Sequence, residues 1–246
     1  MKSDRQSEKA FLSSYNIHDY DIPLTTVDIA IFTVRKGLLQ VLLIKRSQHP
    51  ALGRWALPGG FVDVHKDRDL EATATRKLKE KTGVSTPYLE QVGTFGNGRR
   101  DPRGWSITVS YFALLAWEHI QAGDKESNDE VAWLPVAEVM AEYDLAFDHE
   151  AILASCVQRL KNKVQYTSIA INLLADTFTL SELQSIFELI LEKPLEKKSF
   201  RRRMLDAQIL EETGELRSGG NRPAKLYKAK NTMTEHFFPR VIEGSR

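Results

Sequence analysis

The stretch GGFVDVHKDRDLEATATRKLKEKTGV, residues 59–84, decides the fold of this chain. Gly59 and Gly60 follow Pro58, and the three residues together predict a tight turn. Because no Cβ atom obstructs a glycine turn, its backbone can approach a ligand closely. The stretch therefore predicts a loop and a following helix that together hold a pyrophosphate.

The helix after the turn is indicated by three apolar residues, Leu70, Ala74 and Leu78. Their spacing of four residues gives one buried stripe along a helix. Asp69 places a carboxylate at the positive end of the helix dipole, so the helix should begin near this residue. Gly83 predicts its end, because glycine readily adopts the left-handed conformation of a helix terminus.

The same stretch resembles the Nudix box, G-x5-E-x7-R-E-U-x-E-E-x-G-U, in which U is a bulky apolar residue. The matching residues are Arg76, Leu78, Glu80, Gly83 and Val84. Three positions depart from the pattern. Lys77 and Lys81 stand where the family has glutamates, and the earlier glutamate position falls on Arg68, with two extra residues before it.

These departures bear on metal binding, because Nudix hydrolases hold divalent cations with those carboxylates. Mg²⁺ requires oxygen ligands, whereas a lysine offers only donors. Across Lys77, Glu80 and Lys81 the formal charge changes from about −3 in the family pattern to about +1 here. The resemblance thus implies a Nudix domain that lacks metal-dependent hydrolysis. We expect no catalytic residues and no metal site.

Composition places the chain among globular proteins. It has 246 residues, of which 42% are hydrophobic and 27% charged, enough for one large domain or two ordinary ones. Its apolar runs are too short for a membrane span, and we expect no signal peptide and a cytoplasmic protein. The single cysteine, Cys156, falls in a helical pattern and is expected in the core. The six histidines lack metal-ligand spacing.

Charge divides the chain into two parts. Residues 1–160 contain 19 Lys and Arg and 22 Asp and Glu, a balance of −3. Residues 161–246 contain 15 and 11, a balance of +4, and the two balances give the net charge of +1. We therefore predict a front domain at 1–160 and a mildly basic second domain at 161–246, a charge distribution compatible with nucleic-acid binding.

The front domain has the pattern of an α/β fold. Residues 1–24 are polar and are expected to be irregular. Predicted strands then cover 26–34, 38–45, 55–57, 91–95, 106–115 and 130–134, and the first two are apolar enough to be buried on both faces. Predicted helices cover 135–140 and 146–160, the second capped by Asp148. The order of these elements indicates an α/β/α sandwich of the Nudix type.

The second domain has the pattern of a winged helix-turn-helix. A short helix is predicted at 167–174, and Thr179 with Glu182 forms a capping box that begins the next one. Pro194 ends that helix, and a third is predicted at 197–210. A hairpin follows, with strands at 215–217 and 224–229. Three helices and a two-stranded wing are typical of DNA-binding proteins.

Basic residues concentrate on the third helix and the wing of this domain. A Lys/Arg run is most often a solvated helix face, but this run follows a short turn and precedes a glycine-rich wing, as in DNA-reading helices. Lys and Arg bind phosphates, and Arg and Asn read base edges. The predicted DNA-binding residues are Lys197, Lys198, Ser199, Arg201, Arg202, Arg203, Arg217, Asn221, Arg222 and Lys225.

A ligand site is predicted around the glycine turn. The loop at 99–104 has three arginines, and a guanidinium binds phosphate oxygens bidentately; an ordinary polar loop is the alternative. Trp55 could stack on a base or belong to the core. The predicted ligand-binding residues are Arg54, Trp55, Gly59, Gly60, Lys77, Glu80, Lys81, Arg100, Asp101 and Arg103.

Over roughly residues 25–230 the chain resembles the Nudix-related transcriptional regulators of NAD metabolism, the NrtR family. The segments that carry the resemblance are WALPGGFV (55–62), RDPRG (100–104), AFDH (146–149), KKSFRRRML (197–205) and LEETGE (210–215). The resemblance implies an ADP-ribose-responsive repressor of NAD biosynthesis or salvage genes. It further implies a homodimer on double-stranded operator DNA, with ADP-ribose or a related nucleotide as effector and no required cofactor.

Two other functions remain open from the residues alone. The chain could be an active Nudix ADP-ribose pyrophosphatase that uses Glu80 and carboxylates outside the box. It could also be a scaffold that binds a nucleotide without binding DNA. Hydrolysis of ADP-ribose would favour the first alternative, and failure to bind upstream DNA would favour the second.

Overall fold

A computed structural model describes residues 2–84, 88–120, 130–218, 223–230 and 235–242. The helices are α1 (Lys2–Ser14), α2 (Leu70–Thr82), α3 (Val136–Glu142), α4 (His149–Val164), α5 (Leu180–Leu191) and α6 (Lys197–Asp206). The strands are β1 (Leu24–Arg35), β2 (Leu38–Lys45), β3 (Trp55–Ala56), β4 (Gly59–Phe61), β5 (Tyr88–Asn97), β6 (Ser106–Leu114), β7 (Glu130–Pro135), β8 (Phe178–Thr179), β9 (Leu210–Arg217) and β10 (Ala224–Ala229). None of the helices in these ranges has the length and apolarity of a membrane span.

The front domain is built on a sheet whose central strand is β1. On one side β1 pairs with β6 in parallel, and β6 pairs with β5. On the other side β1 pairs with β4 near its start and with β2 near its end, both antiparallel. β2 also pairs with β3 and β7. The partners of β1 thus change along its length, beside Gly59 and Gly60.

Both faces of this sheet are covered by helices. Along β1, Val27, Ile29 and Ile31 pack with Ala74 and Leu78 of α2 on one face. Ala30 and Phe32 pack on the other face, against a core that includes Ile152, Cys156 and Leu160 of α4. Adjacent strand residues point to opposite faces, so near-continuous burial along β1 requires both layers. The predicted α/β/α sandwich is confirmed.

The second domain is a winged helix. α5 and α6 pack together through Phe187 and Phe200, whose ring centroids lie 5.2 Å apart. β8, β9 and β10 form a small sheet in the order β8-β10-β9. The predicted capping box at Thr179 and Glu182 is present and begins α5. The core of this domain is continuous with that of the front domain, and α4 runs on to Val164, past the boundary predicted at residue 160.

Several predicted elements were wrong in extent or kind. The tight turn predicted at Gly59 and Gly60 is strand β4, and the first wing strand is Leu210–Arg217 rather than 215–217. Lys2–Ser14 is helical rather than irregular, since its residues are mostly good helix formers. The helix was not predicted because the segment has no apolar stripe. The third helix of the winged domain ends at Asp206, because Gln208 has a positive φ of 55° and Leu210 begins β9. The short helix predicted at 167–174 is the 3₁₀ segment Ile169–Leu173.

Candidate functional site

A cavity of about 220 Å³ opens where β1, β4 and the loop after β5 meet the start of α4. Its walls combine a glycine backbone, two aromatic rings, three arginines and two carboxylates. The lining residues are Thr26, Asp28, Ile44, Arg46, Leu57, Gly59, Gly60, Phe61, Arg100, Asp101, Arg103, Phe147 and His149. Such a mixture of apolar walls and converging polar groups is typical of a small-molecule site.

Gly59 is required by the close pairing of β4 with β1. A Cβ atom on Gly59 would lie 2.3 Å from both the Asp28 side chain and the Val27 carbonyl oxygen. Gly60 has a φ of 149°, and a Cβ atom there would lie 3.2 Å from Cε of Lys77. The tight turn predicted at these two glycines is therefore wrong, because both belong to strand β4 and pair with β1. Their backbone forms one wall of the cavity, and the Lys77 side chain lies against Gly60.

We expect Gly59→Ala to destabilise the front domain by about 3 kcal/mol, because the methyl group would overlap backbone atoms of β1. Thermal or urea denaturation measures the change. Gly93→Ala is the matched control, since Gly93 also lies in a strand and has open space at its Cβ position. A Gly59→Ala variant as stable as the control would contradict the close packing of β4 on β1.

A buried ionic cluster supports the cavity floor. The Arg100 guanidinium donates to both oxygens of Asp148, at 2.9 and 2.8 Å, and lies 3.5 Å from Asp28. The side chain of Arg100 is only 4% exposed. Asp148 therefore does not cap α4 with its side chain as predicted, because its carboxylate binds Arg100 instead. The loop at 99–104 is thus fixed to β1 and α4 rather than free in solvent.

His149 completes the cluster as a neutral ring. Its Nδ1 accepts a hydrogen bond from the Leu57 backbone N–H at 2.9 Å, so the proton of the neutral ring lies on Nε2. Nε2 faces Asp28 at 3.6 Å. Burial lowers the pKa of His149, although the charge of Asp28 opposes this shift. The ring therefore offers a donor rather than a cation to the cavity.

Two arginines at the cavity mouth lie on aromatic rings. Arg103 lies 5.0 Å from the ring centroid of Phe61 and binds the carboxylate of Asp101. Hydrogen bonds from Arg103 lower the pKa of Asp101. Arg46 lies 4.9 Å from the ring centroid of Phe147. A bound diphosphate could reach Arg103, but it would compete with Asp101 for that guanidinium.

The Nudix-box helix does not fit a divalent metal. Glu80 accepts from Arg76 at 3.0 Å and from Lys77 at 3.1 Å, and these two bonds outweigh burial and lower the pKa of Glu80. Arg76 also binds Asp67 with two hydrogen bonds, which lower the pKa of that carboxyl group. Glu80, the one glutamate that this chain keeps from the box pattern, is thus bound by two cations, and neighbouring Asp67 is bound by Arg76. Among the described residues, no group of three His, Cys, Asp or Glu could hold a metal ion.

The predicted ligand-binding residues fall into two groups. Gly59, Gly60, Arg100, Asp101 and Arg103 line the cavity. The other five lie outside its lining. Arg54 binds Asp144 and the Leu145 carbonyl, and Trp55 of β3 pairs with Lys45 of β2. Lys77 binds Glu80, and Lys81 is half-buried one turn further along α2.

Sequence reasoning missed several lining residues, notably Asp28, Arg46, Phe147 and His149. A signal was available for Asp28, a lone carboxylate in the apolar run TVDIAIFTV that needs a buried partner. Phe147 and His149 belong to the AFDH segment, in which Phe147 has a positive φ of 58°. Leu57 and Phe61 belong to the segment WALPGGFV, whereas Thr26, Ile44 and Arg46 have no such signal.

The surface of α6 presents most of the predicted DNA-binding residues. Lys197, Lys198, Ser199, Arg201 and Arg202 are exposed, while Phe200 and Met204 are buried against the domain core. A basic outer face on the second helix of a helix-turn-helix suits the major groove. Arg203 differs from these neighbours. Its guanidinium lies 4.1 Å from the ring centroid of Phe238, on the inner side of α6.

The wing is described in part. Arg217 is exposed at the end of β9 and binds Glu182 and the Thr177 carbonyl, and Lys225 pairs with Glu212 at 2.8 Å. Asn221 and Arg222 lie outside the described residues. The described part of the wing therefore holds its basic side chains in ion pairs with acidic neighbours.

The fold and the cavity define a class: a Nudix domain with a polar cavity, joined to a winged-helix DNA-binding domain. Family models agree, as the NUDIX domain matches residues 24–156 and the NrtR DNA-binding winged helix domain matches residues 170–229. The chain belongs to the NrtR family.

Individual relatives cover nearly the whole chain. It is 49% identical to the "ADPR responsive transcriptional repressor NtrR" of Acinetobacter baylyi, across 98% of this chain and 95% of that protein. The fold is similar to that of Shewanella oneidensis NrtR complexed with a 27mer DNA, at 44% identity and a TM-score of 0.82, across 89% of this chain and 99% of that chain. It is also similar to the NUDIX domain of that protein complexed with ADP ribose, at 44% identity and a TM-score of 0.57, across 62% of this chain and 98% of that chain.

Proposed function

We propose that this chain is an ADP-ribose-responsive transcriptional repressor of genes of NAD biosynthesis or salvage. The front domain binds ADP-ribose, and the winged helix binds double-stranded operator DNA in the cytoplasm. Two copies act together as a homodimer, because helix-turn-helix domains read two half-sites related by symmetry. The basic face of α6 and the relatives described above support both binding activities.

The observation that carries the regulatory role is the pairing of Glu80 with Lys77 and Arg76. A carboxylate held between two cations, with a third cation at Lys81, is a poor ligand for Mg²⁺. The front domain therefore keeps ADP-ribose intact, as a sensor requires. Lys77 lies behind Gly60, where its charge favours a bound pyrophosphate without a metal ion.

The deciding experiment is a gel shift with upstream DNA at physiological salt, with and without ADP-ribose. We expect a complex whose amount changes when ADP-ribose is added, and calorimetry should show ADP-ribose binding in the presence of EDTA. Incubation with ADP-ribose and Mg²⁺ should yield no AMP. Rapid formation of AMP would support the pyrophosphatase alternative, and absence of a complex would contradict the repressor.

Arg202→Ala should weaken operator binding by about 1–3 kcal/mol, or roughly 5- to 150-fold, because Arg202 is exposed on the basic face of α6. If it contacts a phosphate, the magnitude of the negative slope of log K against log salt should decrease by about 1. Arg68→Ala is the control, since its side chain is 89% exposed on the front domain. Equal affinities in the two variants would remove Arg202 from the interface.

A further inference from the structure

The segment 235–242, which we call the strap, lies along the junction between the two domains. Residues 165–168 connect α4 to the winged helix, and the strap follows them with backbone hydrogen bonds. The Phe238 N–H donates to the Tyr166 carbonyl at 2.7 Å, and the Ile242 N–H donates to the Gln165 carbonyl at 2.8 Å. Phe238 and Ile242 are buried in the shared core. The strap is thus a fixed part of the junction.

One end of the strap is tied to the front domain through Lys163. The Lys163 ammonium binds Glu235 of the strap at 2.8 Å and Glu90 of β5 at 2.7 Å. Only 10% of the Lys163 side chain is exposed, so this pairing is screened little by solvent. Burial alone would lower the pKa of Lys163, but the two carboxylates outweigh burial and raise it. The strap, α4 and β5 are therefore held by one cation.

β5 leads directly into the loop that lines the cavity. Its last residue, Asn97, accepts hydrogen bonds from the backbone N–H groups of Arg99 and Arg100 at 2.7 and 2.9 Å. Arg100 belongs to the cavity lining. The strap and the cavity loop are therefore both attached to β5, the strap through Lys163 at Glu90 and the loop at Asn97.

The other end of the strap holds the DNA-binding helix through Arg203. The guanidinium lies on the Phe238 ring, and Nη2 donates to the carbonyl oxygens of Arg240 and Gln165. Burial lowers the pKa of Arg203, and within the described ranges no carboxylate pairs with it. The Arg203 guanidinium therefore packs against the strap, whereas the side chain of the neighbouring Arg202 is exposed.

We propose that Arg203 is a positioning residue: through the strap it fixes α6 relative to the Nudix domain and supports operator binding without contacting DNA. This inference rests on the proposed function. A ligand that shifts the cavity loop relative to β5 can then change the placement of α6 through Lys163 and the strap. The coupling between ADP-ribose and DNA should therefore depend on strap residues that touch neither ligand.

Salt dependence separates positioning from phosphate contact. We expect Arg203→Met and Phe238→Ala each to weaken operator binding about tenfold and leave the slope of log K against log salt unchanged. Arg202→Met, the matched variant at the neighbouring position, should make that negative slope shallower by about 1. In the Arg203→Met/Phe238→Ala double variant, the loss should be no larger than in either single variant, because both remove the same contact.

Calorimetric titration of ADP-ribose and amide hydrogen exchange of α6 complete the test. ADP-ribose affinity should stay within twofold of wild type, whereas exchange in α6 should accelerate when the strap is weakened.

Should Phe238→Ala fail to fold, Phe238→Leu keeps most of the buried volume and should show a two- to threefold loss of operator affinity. A negative slope shallower by about 1 in Arg203→Met, or full operator affinity in Phe238→Ala, would overturn the proposal. If wild type binds no operator, the proposed function fails. Amide exchange in α6 still tests the strap in that case, because faster exchange in Phe238→Ala would show that the strap holds α6.

Discussion

Replacing Arg100 with leucine should lower the free energy of unfolding by about 3–5 kcal/mol and abolish ADP-ribose binding. The guanidinium is buried and is bound to Asp148 through two hydrogen bonds, with Asp28 at 3.5 Å. Leucine would leave two carboxylates at the cavity floor without their cation, which costs far more than the loss of one surface ion pair. Urea denaturation and calorimetric titration measure the two effects.

The matched control is Arg99→Leu. Arg99 precedes Arg100 in the same loop, and its side chain is exposed. The free energy of unfolding of this control should stay within about 0.5 kcal/mol of wild type. Arg100→Lys should fall between the two, because lysine keeps the charge but cannot bind Asp148 with two parallel hydrogen bonds. An Arg100→Leu variant within 1 kcal/mol of wild type would mean that Asp28 and Asp148 do not depend on this cation.

The fold could be predicted where one local pattern fixes one element. β2 and its turn, α2 with its ends at Asp69 and Gly83, and the capping box of α5 all follow from short-range rules. The end of α6 could not be predicted so, because Leu210 is apolar at helical spacing yet packs as the first residue of β9. Periodicity alone does not show which partner an apolar residue meets.

The cavity was harder to predict because it is assembled from distant segments. The glycine pair and the arginine loop can be recognised by chemistry, and the structure brings them together. Asp28 and Asp148 are 120 positions apart and are brought together by Arg100. Arg203 illustrates the converse: it belongs to a basic run, yet its environment is set by a segment about 35 residues further along the chain.

The Lys77→Glu/Lys81→Glu variant should bind Mg²⁺ at least about tenfold more tightly than wild type. The formal charge of Arg76, Lys77, Glu80 and Lys81 would change from about +2 to about −2. Glu80 would lose its ion pair with Lys77 and gain two carboxylates on the same face of α2, whereas Arg76 would remain bound to Asp67. Three carboxylates on one helix face provide the hard oxygen ligands that wild type lacks. Calorimetric titration with MgCl₂ measures the affinity.

The control variant Lys66→Glu/Lys79→Glu changes the net charge by the same amount on side chains away from that face. Both lysines are exposed, and Lys79 lies on a different side of α2 from Glu80. Its Mg²⁺ affinity should match that of wild type. A difference in Mg²⁺ affinity between the two double variants would then be due to the positions of the new carboxylates and not to the total charge. In EDTA, ADP-ribose should bind the Lys77→Glu/Lys81→Glu variant more weakly than the control, because the new carboxylates repel its pyrophosphate. Equal Mg²⁺ affinity in the two variants would show that Lys77 and Lys81 are not what keeps the cation out.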